Sequence, residues 1–143
     1  MTEPIVLEFS VASSPERAFR VWTEECARWW PSSHCMSGQT GFDVVFEPHP
    51  GGRIYERGAD GTEHDWGRVE VWDPPDRLRY SWHIFLEPER ATTVEVTFAA
   101  TGEGTLVRLE NGGFDVFGEG ADERADRVGS AWSGITGEYR LAI

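Results

Sequence analysis

The sequence predicts a single α+β domain in which a curved antiparallel sheet of seven strands grips one long C-terminal helix around an aromatic-lined pocket. Three observations carry this expectation. Alternating segments separated by turn residues fill the stretch from Phe42 to Asn111, one more such segment opens the chain, and a single apolar stripe at helical spacing closes it. A one-faced helix against a one-faced sheet makes two layers, and neither an internal repeat nor a long linker divides residues 1–143. One domain of this length buries roughly 70% of its unfolded surface, enough for one core.

The elements follow in order. Ile5, Leu7, Phe9 and Val11 alternate with Val6, Glu8 and Ser10, the period of a strand with one buried face. Ser13-Ser14-Pro15-Glu16 reads as a helix start, with a serine cap, a proline tolerated in the first turn and an acid at the positive end of the dipole. Phe19, Trp22, Cys26 and Trp29 continue at helical spacing, with a break near Glu24-Glu25 and a stop before Pro31. Six strands are then expected at 42–47, 52–58, 63–72, 77–86, 92–100 and 104–111. The Asp60-Gly61 pair is the strongest hairpin signal among their separators. In 77–86, Leu78, Tyr80, Trp82, Ile84 and Leu86 share one face while Arg79, Ser81 and His83 share the other. The last helix starts near Glu119, where acidic residues up to Asp126 suit its positive end, and presents Val128, Trp132, Ile135, Tyr139 and Ala142 as one stripe. Gly129, Gly134 and Gly137 each cost that helix up to about 1 kcal/mol relative to alanine. Packing must therefore hold it, and the missing side chains are expected to leave space beside the sheet.

Composition narrows the partners. A formal charge of −12 repels phosphate backbones and anionic surfaces, so neither nucleic acid nor a membrane is expected. No apolar run approaches the roughly 18 residues of a membrane span, and Met1-Thr2-Glu3-Pro4 has no signal-peptide character, which makes a cytoplasmic location the expectation. Every basic residue is arginine, which excludes a lysine Schiff base, a Walker lysine and a lysine general base. Cys26 and Cys35 are expected as free thiols. His34, His49, His64 and His83 lack the spacing of a helical metal pair and read as surface or structural, so no metal or other cofactor is expected.

Several motifs fall in a distinctive succession: Pro50-Gly51-Gly52-Arg53, Tyr55-Glu56-Arg57-Gly58, Asp60-Gly61, Trp66-Gly67-Arg68-Val69, and Asp73-Pro74-Pro75-Asp76-Arg77-Leu78 leading into Tyr80-Ser81-Trp82. With Ser14-Pro15-Glu16-Arg17, Trp29-Trp30, Gly113-Phe114 and Trp132, this order resembles the activator of heat-shock-protein-90 ATPase homologues, within the START-like, birch-pollen-allergen-like superfamily. The resemblance implies a helix-grip fold, with two short helices after the first strand closing one end. It also implies a cavity between sheet and helix that in relatives holds lipids, sterols, polyketides or flavonoid-like aromatics.

The residues themselves point to that pocket. Seven tryptophans and eight phenylalanines exceed what a small core ordinarily needs. Trp30, Phe46, Trp66, Val69, Tyr80, Trp82, Phe98, Phe114, Trp132 and Ile135 are the lining candidates, and core packing alone is the alternative for each. Asn111 is positioned either to orient a ligand or to cap the Gly112-Gly113 turn. Glu56 is the one acid/base candidate. If the Asp60-Gly61 turn pairs it with Asp65 on the inner face, desolvation and a neighbouring carboxylate raise its pKa. The alternatives are an ion pair with Arg53, Arg68 or Arg79, or a register that turns it outward. Three functions follow: binding of a small apolar molecule, a cyclase or dehydratase using Glu56, or a protein-binding domain acting on a chaperone. A homodimer is left open, and no sequence feature supports a chaperone partner.

Overall fold

A computed structural model describes residues 2–38 and 40–143. Strand β1 (Ile5–Val11) is followed by helices α1 (Pro15–Thr23) and α2 (Cys26–Trp29), then β2 (Asp43–Phe46), β3 (Arg53–Arg57), β4 (Glu63–Asp73), β5 (Arg77–Trp82), β6 (Thr92–Thr101), β7 (Gly104–Gly112) and helix α3 (Ala121–Ala142). The strands form one antiparallel sheet in the order β1-β7-β6-β5-β4-β3-β2. The helix pair thus carries the chain from one edge of the sheet to the other. This is the helix-grip arrangement. Among the described residues, no helix is long and apolar enough to cross a membrane.

Local chemistry sets the helix boundaries. Ser14 caps α1, its hydroxyl accepting from the Arg17 amide at 3.3 Å, and Pro15 occupies the first turn. The break between α1 and α2 falls at Glu24-Glu25, where both amides donate to the Arg20 carbonyl. Two side-chain bonds fasten this layer: the Trp29 indole donates to the Val21 carbonyl at 2.8 Å, and the Tyr139 hydroxyl donates to the Ala18 carbonyl at 2.8 Å. α3 lays Trp132, Ile135 and Tyr139 on the sheet, each nearly fully buried. Cys26 and Cys35 are buried and not joined in a disulfide; the Cys35 thiol lies 3.0 Å from the Ser32 carbonyl, and burial followed by the Asp43 charge pushes the Cys26 thiol up.

The structure corrects three expectations. The fifth strand ends at Trp82 rather than residue 86, because the chain reverses in a turn closed by the Leu86 amide on the His83 carbonyl at 2.6 Å. Phe85 adopts a left-handed φ of 66° there, and His83 turns inward instead of joining the outer face. No glycine, proline or Asx residue interrupts the apolar alternation at that point, so the pattern outlasts the strand.

The second correction concerns register. Glu56 pairs with His64, and Asp65 pairs with Tyr55, because a bulge at Trp66 inserts one extra residue between the Ile54–Gly67 and Tyr55–Asp65 pairs. Asp65 consequently points outward, where it binds Arg53 at 2.8 Å, and Trp66 points into the core. Gly67 permits the bend: a Cβ there would collide with the Ser81 carbonyl oxygen.

The third concerns the glycines of α3. Gly134 and Gly137 face open space with no atom near an added Cβ, and Gly129 lies against Ile5. Gly134 and Gly137 border an open recess beside Ser10, Val11 and Ala12 at the β1 edge of the sheet, with no aromatic residue in its lining, so the space they leave is not an aromatic pocket.

Candidate functional site

A cavity of about 210 Å³ lies between the β5–β7 region of the sheet and the first half of α3. Two irregular segments flank its open side, the turn at 83–86 and a 3-10 turn at Phe114–Phe117. Trp30, Trp82 and Trp132 form its floor, with centroid separations of 5.7 Å, 5.9 Å and 5.8 Å among the three rings. Ile84, Phe85 and Leu86 line one wall, and Val128, Ala131 and Ile135 of α3 line another.

Few polar groups enter this surface, and the fold fixes most of them. Asn111 is fully buried; its amide donates to the Thr92 hydroxyl and the Thr93 carbonyl, both at 2.9 Å, and its carbonyl accepts from the Trp132 indole at 3.1 Å. It locks β6, β7 and α3 together at the cavity wall rather than capping the Gly112-Gly113 turn. One acceptor lone pair of its carbonyl oxygen remains for a further donor. His83 Nδ1 lies 3.0 Å from the Leu86 carbonyl, a group that only accepts, so Nδ1 carries the proton and Nε2 is the acceptor of the neutral ring. His34 also lines the cavity, and Arg124 stands at its edge with its guanidinium 4.4 Å from the Phe117 ring centroid. Among the described residues, no three His, Cys, Asp or Glu side chains gather as a metal site would require.

Half of the residues expected in a pocket meet on this cavity: Trp30, Trp82, Asn111, Phe114, Trp132 and Ile135. Phe46, Glu56, Trp66, Val69, Tyr80 and Phe98 are buried in the solid core instead. Phe46 packs edge-on to Tyr80, whose phenol burial pushes far above its ordinary range, and Phe98 packs on Phe19. Trp66 backs the floor from behind, touching Trp30 and Trp82.

Glu56 reverses its expected electrostatics. It does face inward, yet its carboxylate accepts from the Met36 amide at 2.6 Å, the Ser37 amide at 2.8 Å and the Trp66 indole at 3.2 Å. Burial alone would raise its pKa; the Ser37 side chain, those two amides and the indole together outweigh burial and hold it below the usual carboxylate range. The group clamps the loop after α2 to the sheet. It does not line the cavity.

Pattern reasoning missed His34, His83, Phe85, Thr92, Phe117, Arg124 and Ala131. Arg124 precedes Val128 and Trp132 by whole turns of the same helical face, so extending the apolar stripe one turn would have found it. No signal marked Phe85.

A sequence model of the family described as Activator of Hsp90 ATPase homolog 1-like protein matches residues 12–136. The chain belongs to this family. No match was found among curated proteins. Among solved structures, the anthrahydroquino-γ-pyrone synthase Txn09 is 39% identical, with a TM-score of 0.60 over 83% of this chain and 82% of that one. A Mesorhizobium loti protein is 22% identical over 96% and 94% of the two chains, with a TM-score of 0.70. DynU16, a protein of the dynemicin biosynthetic locus, is 15% identical with a TM-score of 0.73, matching 99% of this chain and 47% of its own length. The last two likenesses concern the fold alone, which this Hsp90-activator-homologue chain shares with hydrophobic-ligand-binding START-like proteins in general.

Proposed function

We propose that this chain binds a compact, flat, largely aromatic molecule in the cavity floored by Trp30, Trp82 and Trp132. The observation that carries this reading is the cavity itself: three indoles within 6 Å of one another floor a space of about 210 Å³, with a handful of fixed polar groups beside them. Pockets for drug-sized ligands run to roughly 300–1,000 Å³, so a small fused-ring molecule suits this one better than a lipid or a sterol. Burial of its faces supplies most of the affinity, at roughly 25 cal/mol per Å² less the cost of ordering. The 39% identity to an anthrahydroquino-γ-pyrone synthase supports an aromatic, polyketide-like ligand. Titration with methylanthracene, followed by tryptophan fluorescence, is expected to saturate at one molecule per chain. Quenching that rises without saturating would count against a defined site.

A second reading is supported by the same relative: cyclisation of an aromatic polyketide. In that case proton transfer falls to His83, whose Nε2 is left as the acceptor when Nδ1 donates to Leu86, while Glu56 holds the loop after α2. His83→Ala is then expected to abolish ring closure while methylanthracene still binds. Full turnover in that variant would remove His83 from the reaction.

A further inference from the structure

The cavity wall carries one arginine, and its surroundings bear on what the ligand looks like. Arg124 lies in the first turns of α3, half-buried, with its guanidinium over the Phe117 ring at the cavity edge. It also borders an adjoining surface recess, which Arg90 and Arg127 share with Glu119 and Glu123. In this acidic chain most arginines are already engaged: Arg20, Arg28, Arg53, Arg57, Arg77, Arg79, Arg90 and Arg108 all form ion pairs. Among the described residues, Arg17, Arg68, Arg124, Arg127 and Arg140 are outside that set, and of these Arg124 is the one that lines the cavity.

Stacking on Phe117 occupies a face of the Arg124 guanidinium and leaves the N–H donors around its edge directed into the plane of the group. A half-buried cation at the rim of an apolar cavity gains most from an anion that arrives with the ligand, since the low-polarity wall strengthens the pairing. The positive end of the α3 dipole lies at the same edge. Asn111, by contrast, spends both amide hydrogens on Thr92 and Thr93 and offers no donor.

We propose that the natural ligand bears an anionic oxygen group, held by Arg124 at the rim while its flat apolar body fills the cavity. This deepens the reading of the cavity as a ligand site and rests on it. The test compares anthracenecarboxylate with methylanthracene on the full chain and on Arg124→Gln and Arg124→Lys. The native protein is expected to prefer the carboxylate by roughly tenfold, the strength of one hydrogen-bonded charge pair at a partly exposed site. Arg124→Gln is expected to bring that ratio close to one, and Arg124→Lys to retain part of it. Equal affinities for the two probes in the native protein would overturn the anion proposal while leaving the cavity reading intact. So would an unchanged ratio in a folded Arg124→Gln. If neither probe binds, both readings fail together.

Discussion

The rings of Trp22 and Trp132 stack at 6.3 Å, and the interior differs on either side of them. On the Trp22 side, Trp22, Phe19, Trp29, Phe98 and Tyr139 pack with centroids 5.0–6.4 Å apart, edge to face except for the tilted Trp22–Trp29 pair, and none of them lines the cavity. On the other side, Trp30, Trp82 and Trp132 are spaced just as closely, yet they border a void. Aromatic content is therefore not what makes the pocket. The difference lies in the cover. α1 closes the solid side with a capped, amphipathic helix pinned by hydrogen bonds from Trp29 and Tyr139. The hollow side is only flanked by two short irregular turns, one of which exposes 58% of Phe85. Segments with so few buried contacts open locally at low cost, which suits an entrance.

Substitutions on the two sides are expected to separate stability from uptake. Trp22→Ala removes the centre of the solid cluster and should cost about 3–5 kcal/mol, read as a fall in the urea midpoint. A loss below about 1 kcal/mol would mean that the cluster is not tightly packed. Glu56→Gln, between the halves, sets an amide where four donors meet a carboxylate and should cost about 2 kcal/mol at neutral pH. Its pKa is depressed in the fold, so the stabilisation is complete above the unfolded value of about 4.3 and is lost as pH falls through the lower folded value. The gap between native protein and Glu56→Gln should therefore be constant from neutral pH down to about 5 and close below 4. A gap that widens in acid would give Glu56 the opposite shift.

On the hollow side, Ala131→Phe should fill the void, abolish methylanthracene binding and raise stability by about 1 kcal/mol. Gly134→Ala, on the solvent face of α3, should stabilise by about 0.5 kcal/mol and leave uptake alone. If Gly134→Ala blocked uptake and Ala131→Phe did not, the cavity would be on the wrong face of the helix.

This same division explains what was legible in the sequence. Alternation and turn residues report which side of a strand is buried, and they located all seven strands, the broken helix pair and the stripe of α3. They cannot distinguish a buried face that touches another side chain from one that touches a hole. Tyr80 and Trp82 are equivalent in pattern, yet only Trp82 borders the cavity. Register failed at one place for a physical reason: the bulge at Trp66 moved Asp65 to the outer face, and Gly67, an isolated glycine inside a strand, was its available sign. The turn at 83–86 left no such sign, because Phe85 takes a left-handed backbone that its residue type rarely adopts. The entrance was thus the least readable part of the molecule.

Seven tryptophan indole N–H resonances give the most direct test of the claim that the ligand site is the hollow side. On titration with methylanthracene, the signals of Trp30, Trp82 and Trp132 are expected to move furthest and to saturate together, while those of Trp29 and Trp72 stay in place. Saturating shifts centred on Trp29 and Trp72, with Trp30 and Trp82 unmoved, would contradict the account.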